Sequence, residues 1–211
     1  MDIERKGGNC VVVTVKKSTL VVDPKLSNYG LKDQATHATA ELLTQDVFAA
    51  PKGDDTVVID GPGEYEVQNC SIKGIAARIH SQPSDAPKDA TMYRIDVEDI
   101  SVAILGHVQP KLTDDELEGV GLVDVLILPV GGYGYTLEPK EAVDLVRAIE
   151  PKIVIPTHYA EEGVTYEVPQ AALEEFLKEL GASNHEQTPK LKLKAGTLPE
   201  ALTVYEITRT K

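Results

Sequence analysis

Three histidines, each placed just after a short apolar run, are the side chains best suited to chemistry in this sequence: His80, His107 and His158. A neutral imidazole is a common ligand of zinc and can also accept a proton near neutral pH. Lone histidines with ordinary hydrogen bonds are often only structural, and the residue types alone leave both interpretations open.

Three other residues are candidates for lining a cleft. Asp23 precedes Pro24 at the end of a β-branched run, where it could orient a metal ligand or cap a turn. Asp46 and Tyr133 stand in short polar or glycine-rich segments, and Tyr133 could equally be a packing or surface residue. No Ser/His/Asp order and no Cys/His nucleophile can be defended from the sequence.

The composition favours a layered α/β protein. Hydrophobic residues make up 42% of the chain and aromatic residues 5%, without tryptophan, so the core must be aliphatic. After many short β-like runs, the apolar run 123–130 is followed by a helical pattern over 138–149 and a further strand at 152–155. A second helix is predicted to start near Pro169. No repeat or linker interrupts the sequence, which predicts one domain over residues 1–211.

The charge and the apolar runs restrict the partners. A net charge of −13 opposes binding to nucleic acids. No apolar run approaches the ~18–20 residues of a membrane span, and no secretory signal is evident, so we expect a cytoplasmic protein away from membranes. Cys10 and Cys70 are expected to be buried reduced thiols. The remaining partners are a small molecule, another protein or a second copy of the chain.

Several segments, taken together and in order, resemble the metallo-β-lactamase superfamily: Pro62-Gly63-Glu64-Tyr65-Glu66, Pro129-Val130-Gly131-Gly132 and Ile155-Pro156-Thr157-His158-Tyr159. The branch is similar to the Zn-dependent hydrolases of the β-lactamase fold, which include ascorbate-phosphate lactonase-like proteins. The resemblance runs from about residue 5 to residue 160. It implies an αβ/βα sandwich, in which two mixed β-sheets pack face to face between helices, with a metal cleft at one edge.

The first metal-binding motif of that family, Thr/Ser-His-x-His-x-Asp-His, falls on residues 44–50. Its four ligand positions are Gln45, Val47, Ala49 and Ala50 in this sequence. Valine and alanine have no lone pair to give a metal, and the glutamine amide is a poor zinc ligand. The resemblance therefore implies that the main metal-binding loop is lost.

The later ligands of the family fall on His80, His107 and His158, with His107 at the position of the metal-bridging aspartate. Two adjacent dications need carboxylate charge between them, which imidazole cannot supply. We therefore expect a degenerate site without a cofactor, in a non-catalytic binding or regulatory module. The alternative is a hydrolase that uses these three histidines, with one zinc ion or without metal. The imidazoles should gather around one cavity, with Gln45 at its rim and Val47, Ala49 or Ala50 on its wall.

Overall fold

A computed structural model of the chain describes residues 1–34, 38–81 and 88–210. His37, expected to be solvated, and most of the loop expected over residues 80–90 lie outside the described residues. Within these residues the strands are β1 (Asp2–Gly7), β2 (Cys10–Val15), β3 (Ser18–Val22), β4 (Ala40–Leu42), β5 (Val57–Ile59), β6 (Gly63–Val67), β7 (Cys70–Ala77), β8 (Ala90–Val97), β9 (Ile100–Ile104), β10 (Val125–Pro129), β11 (Ile153–Thr157), β12 (His185–Thr188), β13 (Leu191–Lys192) and β14 (Thr203–Ile207). The helices are α1 (Asp114–Val120), α2 (Pro139–Ile149) and α3 (Leu173–Leu180).

The strands form two mixed sheets. The first has the order β13-β1-β2-β3-β4-β5, and the second has the order β12-β14-β11-β10-β9-β8-β7-β6. In the second sheet β10 lies between β9 and β11, parallel to both, and is buried at every position. A strand buried on both faces needs an unbroken aliphatic sequence, which the run 123–130 supplies. The strands predicted at 123–130 and 152–155 are thus neighbours in this sheet.

The two sheets pack face to face through an aliphatic core. Side chains from both sheets meet there, among them Val13 and Leu20 of the first sheet and Ile95 and Ile127 of the second. A second apolar cluster covers the outer face of the second sheet and includes residues of all three α-helices. The outer face of the first sheet packs against a 3-10 turn, Leu26–Tyr29, and Phe48. The predicted metallo-β-lactamase-like sandwich is therefore confirmed.

The helices differ in part from the predicted ones. Helix α2 (Pro139–Ile149) matches the expected helix, but α3 begins at Leu173 rather than near Pro169. The cause is a competing bond, because the Ala171 amide donates to the Gly131 carbonyl and keeps this segment extended. Helix α1 was missed, because it is short and acidic. Its capping box, in which Thr113 and Glu116 exchange hydrogen bonds, was the signal that could have revealed it.

Two further expectations concern membrane-spanning segments and the two cysteines. None of the helices in the described part of the chain combines the length and the apolar character needed to cross a bilayer. Cys10 and Cys70 are buried and form no disulfide, as predicted.

Candidate active site

Five strands direct their carboxyl ends to one edge of the sandwich. His107 follows β9, His158 follows β11, and the loop from Gly131 to Tyr135 follows β10. From the first sheet, Asp23 follows β3 and the loop 44–50 follows β4. The edge formed by the carboxyl ends of parallel strands is where open α/β sheets bind ligands. The fold thus gathers the candidate residues at one end of the molecule.

His107 and His158 form a buried pair at this edge. Nε2 of His107 lies 3.0 Å from Nδ1 of His158, and the ring centroids are 4.7 Å apart. Both side chains are almost completely shielded from solvent. Burial lowers the pKa of His107 to about 3, with a smaller contribution from nearby His80. Burial also lowers the pKa of His158 far below its ordinary range, so both imidazoles are neutral at physiological pH.

Four aromatic rings surround the pair and are named here the aromatic box: Tyr29, Phe48, Tyr135 and Tyr166. Phe48 and Tyr135 each lie 5.1 Å, centroid to centroid, from His107. Tyr29, Tyr135 and Tyr166 lie 5.2, 5.5 and 4.3 Å from His158. These rings exclude water and lower the local dielectric, which explains why the charged form of either imidazole is disfavoured.

The outer nitrogens of the pair lack hydrogen-bond partners. Nδ1 of His107 and Nε2 of His158 are both buried, and neither has a partner among the described residues. Buried polar atoms in folded proteins are normally satisfied by protein or by water. These two outer nitrogens therefore leave the pair with hydrogen-bonding capacity that the described side chains do not use.

Asp23 fastens the two sides of the site. Its carboxylate is buried and accepts hydrogen bonds from the Thr44 amide at 2.8 Å, the Thr44 hydroxyl at 2.7 Å and the Asn9 amide at 2.9 Å. Asn9 in turn accepts from the Thr157 hydroxyl at 2.8 Å, next to His158. Burial raises the pKa of Asp23 to about 6, although these bonds oppose the shift. Asp23 is thus a clamp between the loop 44–50 and the His158 turn.

Gly106 brings the His107 turn against the same clamp. Its backbone is left-handed, with φ of 67°, and a side chain there would meet Thr44 at 2.8 Å. Only glycine combines this conformation with so close an approach. The Leu-Gly-His sequence therefore fixes the distance between His107 and the loop 44–50.

His80 is linked to the pair by its backbone rather than by its ring. Its amide donates to the His107 carbonyl at 2.9 Å, while Nε2 lies 3.3 Å from the Glu141 carboxylate of α2. Within residues 1–34, 38–81 and 88–210, no three His, Cys, Asp or Glu side chains are arranged to hold a metal ion. The expected gathering of three imidazoles around one cavity is therefore wrong in part, because Glu141 engages the third ring.

The loop 44–50 differs from its predicted arrangement. Gln45 is half-buried before a 3-10 turn, Asp46–Phe48, and Val47 and Ala49 are exposed. Phe48, buried against His107, forms the wall that Val47, Ala49 or Ala50 was expected to form. The reason is that the largest apolar side chain of the loop takes the buried position. Phe48 is one of only two phenylalanines in the chain, which was the available signal.

The remaining candidates, Asp46 and Tyr133, are exposed. Asp46 is on the loop of Phe48 and Tyr133 is on the loop of Tyr135, and both of these rings contact His107. Sequence reasoning missed Tyr29 and Tyr166, which come from segments far apart in the chain.

The donors present suit one metal ion better than two. Two nitrogen ligands on a tetrahedral zinc ion are about 3.3 Å apart when each Zn–N bond is about 2.0–2.1 Å. The 3.0 Å separation of His107 Nε2 and His158 Nδ1 is close to that value. Two imidazoles are one ligand short of the usual catalytic set, so water or substrate must supply the other positions. A second ion finds no imidazole, thiolate or carboxylate at the four ligand positions of the loop 44–50.

The sequence matches the beta-lactamase superfamily domain over residues 2–158. The chain belongs to the metallo-β-lactamase superfamily. A solved structure from Thermotoga maritima, named for the Zn-dependent hydrolases of this superfamily, is 26% identical with a TM-score of 0.79. The match covers 98% of this chain and 97% of that one. Igni18, a metallo hydrolase from Ignicoccus hospitalis, is 16% identical with a TM-score of 0.62, covers 99% of this chain and 94% of that one, and shows the fold alone.

Curated relatives match over shorter segments. A UPF0173 protein of Pyrococcus furiosus is 47% identical over 79 residues, which are 37% of this chain and 33% of that protein. A UPF0173 metal-dependent hydrolase of Staphylothermus marinus is 47% identical over 55 residues, 26% of this chain and 22% of that protein. The matched part of the chain thus spans a third or less of these relatives.

These relatives overturn two predictions. The expectation of a non-catalytic module is wrong, because proteins similar to this chain are named metal-dependent hydrolases. The expectation of no cofactor is wrong for the same reason, since the names specify a metal or zinc. The alternative, a hydrolase centred on the histidines at the strand ends, is the better supported interpretation.

Proposed function

We propose that this protein is a metal-dependent hydrolase centred on the His107–His158 pair, and that it uses one divalent ion rather than two. The observation that carries the proposal is the meeting of two neutral, buried imidazoles with facing nitrogens 3.0 Å apart. They lie at the sheet edge where the superfamily resemblance puts its later ligands. The loss of ligands in the loop 44–50 is the reason for a single ion.

The residues of the chain divide the work of such a site. His107 and His158 would hold the ion through their facing nitrogens, which requires their protons to sit on Nδ1 and Nε2, the two nitrogens without partners. A divalent ion held there would supply water activation, because it lowers the pKa of water toward about 7. The aromatic box keeps bulk water out and strengthens electrostatic interactions inside it.

His80 is the residue best suited to carry a proton beside the pair. Its Nε2 faces the Glu141 carboxylate at 3.3 Å, and its Nδ1 has no partner among the described residues. A carboxylate on one ring nitrogen fixes the tautomer and orientation of an imidazole and leaves the other nitrogen available. His80 could thus deliver a proton to the leaving group.

A metal-reconstitution experiment tests the function. Protein without a histidine tag is stripped with a chelator and restored separately with Zn²⁺, Mn²⁺, Fe²⁺ or Co²⁺. Each form is assayed on aryl esters, a lactone, a thioester and a phosphodiester. We expect hydrolysis of at least one class only after restoration, with at most one ion per chain. The variants His107→Gln and His158→Gln should lose both activity and metal, whereas His185→Gln, at an exposed position, should keep them.

Full activity after stripping would contradict a role for metal. Two tightly bound ions per chain would contradict the single-ion site. Hydrolysis unaffected by both histidine variants would place the chemistry elsewhere.

A further inference from the structure

The histidine pair is closed to solvent. His107 is 2% exposed and His158 is 0% exposed, because the rings of the aromatic box pack around them. A metal ion or a substrate reaches the pair only if part of this wall moves. The rings of Phe48 and Tyr29 are fixed in an apolar cluster and are only 2% and 3% exposed. The wall must therefore open at one of the other two rings.

Of these two rings, Tyr166 is the one that meets an open cavity beside the site. The cavity has a volume of about 420 Å³, and the residues that line it belong to the segment 160–170, named here the cover loop. Tyr166 is a lining residue, whereas Tyr135 is not. The ring of Tyr166 also lies 4.3 Å, centroid to centroid, from the imidazole of His158. One side chain therefore belongs both to the lining of this cavity and to the wall of the histidine pair.

Both ends of the cover loop are firmly anchored. The Ala160 amide donates to the Ala171 carbonyl at 2.9 Å, and the Ala171 amide donates to the Gly131 carbonyl at 2.6 Å. Next to Ala160, Glu161 accepts two hydrogen bonds from the buried Arg5 guanidinium, at 2.9 and 3.0 Å. Bidentate contacts between arginine and a carboxylate are among the stronger hydrogen bonds in proteins. These contacts fix the base of the loop on the strand-end edge.

The middle of the cover loop is tied to the rest of the protein more weakly. Over residues 164–169 of the described chain, the one backbone hydrogen bond to a residue outside the loop runs from the Thr165 amide to the Tyr29 carbonyl, at 3.0 Å. The Tyr166 hydroxyl has no hydrogen-bond partner among the described residues, so the ring can leave without breaking such a bond. Segments with few hydrogen bonds and no regular secondary structure open at low free energy.

We propose that the cover loop is a gate: its middle swings outward about the anchored base, the Tyr166 ring leaves His158, and the cavity becomes the path by which the ion and the substrate enter. His158 itself stays in place, because its amide donates to the Gly8 carbonyl at 3.0 Å. The identity of what enters rests on the proposed hydrolase function, whereas the gate depends only on the loop.

Hydrogen exchange tests whether the loop opens in the intact protein. The protection factor of the Thr165 amide should be at least about 100-fold lower than that of the Lys25 amide, which donates to the carbonyl of the fixed residue Phe48. The two amides form backbone hydrogen bonds of similar length, 3.0 and 3.1 Å, so the comparison is matched. Equal protection of the two amides would contradict the gate.

Chemical modification tests whether Tyr166 controls access to the pair. Diethyl pyrocarbonate acylates neutral imidazoles, and mass spectrometry gives its rate at His158 without any need for metal or activity. Tyr166→Ala should raise this rate at least about tenfold, because it removes the ring that covers the imidazole, whereas Tyr166→Phe keeps the ring and should stay within about twofold of wild type. An unchanged rate in Tyr166→Ala would overturn the gate.

A blocking label tests the path through the cavity. Glu167 is exposed and lines the cavity, and both native cysteines are buried, so a bulky maleimide can be attached selectively to Glu167→Cys. The label should slow both His158 modification and Zn²⁺ uptake at least about tenfold, whereas unlabelled Glu167→Cys should match wild type. The same label on Tyr133→Cys, at an exposed position on the loop of Tyr135, is the control and should change neither rate. Slowing by the control label instead would move the entry to that loop and overturn the gate.

The gate and the hydrolase can fail separately. If no substrate is cleaved, faster modification of His158 in Tyr166→Ala and slower modification in the labelled Glu167→Cys variant still support the gate. If hydrolysis is found but neither change alters access to His158, the gate is wrong and the hydrolase stands.

Discussion

The two edges of the second sheet contrast in how their polar groups are satisfied. At the amino ends of β9 and β10 lies an open cavity of about 660 Å³. Several of its charged residues are paired, among them Arg94 with Asp96 at 2.8 Å and Asp124 with Lys152 at 2.8 Å. At the carboxyl ends, His107 and His158 are tightly enclosed, and each keeps one ring nitrogen without a partner in the described part of the chain.

The difference shows that the size of a cavity does not indicate where the functional site of this fold lies. Paired charges in an open cavity are already satisfied and gain little from a ligand. Neutral imidazoles held in a dry aromatic box keep lone pairs that a metal ion can bind, while burial disfavours their protonation. Such strongly shifted pKa values at a strand-end edge are typical of functional sites. The two edges can therefore be compared by matched substitutions.

The largest expected difference is in activity. His158→Gln should reduce metal-dependent hydrolysis by at least about 100-fold, because it removes one of two metal-holding imidazoles. Arg94→Gln, at the opposite edge, should leave kcat/KM within about twofold. Steady-state kinetics on metal-restored proteins make the comparison. Equal losses of kcat/KM in the two variants would contradict the assignment of the active site to the histidine edge.

The next difference concerns stability at pH 7. Asp23→Asn should lower the free energy of unfolding by about 3 kcal/mol. Both carboxylate oxygens of Asp23 accept hydrogen bonds, and in asparagine one oxygen becomes an NH₂ group that would face a donor instead of accepting from it. Asp124→Asn at the opposite edge should cost less than about 1 kcal/mol, because the amide oxygen can keep the Ser101 bonds and the lost partner, Lys152, is half-exposed. Urea denaturation measures both values. Hydrogen exchange at the Thr44 amide should accelerate only in Asp23→Asn.

The histidine edge should also make stability depend on pH. The pKa of His107 falls to about 3 on folding, so below about pH 6.5 only the unfolded chain binds this proton and stability declines. Asp23 acts oppositely, because its pKa is raised to about 6 and protonation between about pH 6 and 4 favours the folded state.

Between about pH 7 and 5, the free energy of unfolding of the metal-free His107→Gln variant should therefore fall by about 2 kcal/mol less than that of the wild type. His185→Gln, at an exposed position, is the control and should leave the profile unchanged. Denaturation curves across this range decide the point. An identical profile for wild type and His107→Gln would show that this imidazole is accessible to protons.

The smallest effect is expected for a single ion pair at the opposite edge. Lys152→Met removes the contact with Asp124, where the lysine is half-exposed and screened by solvent. The free energy of unfolding should change by less than about 1 kcal/mol. A larger change in the free energy of unfolding, measured from the urea midpoint, would mean that the ion pair at the opposite edge also contributes strongly to stability.

Much of the scaffold was predictable because local patterns agree with the global fold. The run 123–130 and the helical pattern over 138–149 became β10 and α2, since aliphatic strands and amphipathic helices follow from sequence periodicity. The end of β11 was likewise recognisable from the residues before His158. The start of α3 was not, because the bond between Ala171 and Gly131 is a long-range one.

The interior of the site was less predictable. The aromatic box assembles from four separate segments, so no local pattern in the sequence announces it. His80 lies beside the pair, but its ring contacts the Glu141 carboxylate, a long-range partner that no local pattern reveals. The prediction of no cofactor failed for a related reason. Counting the ligands lost from the loop 44–50 does not measure what two imidazoles with facing nitrogens can still hold.

The most direct test of the central claim is anomalous diffraction from crystals of chelator-stripped protein soaked with Zn²⁺. A single peak should lie between the rings, about 2.0–2.1 Å from one nitrogen of His107 and one of His158. The peak should vanish in His158→Gln. Two peaks at this edge, or none between the two rings while zinc binds elsewhere, would contradict the single-ion site.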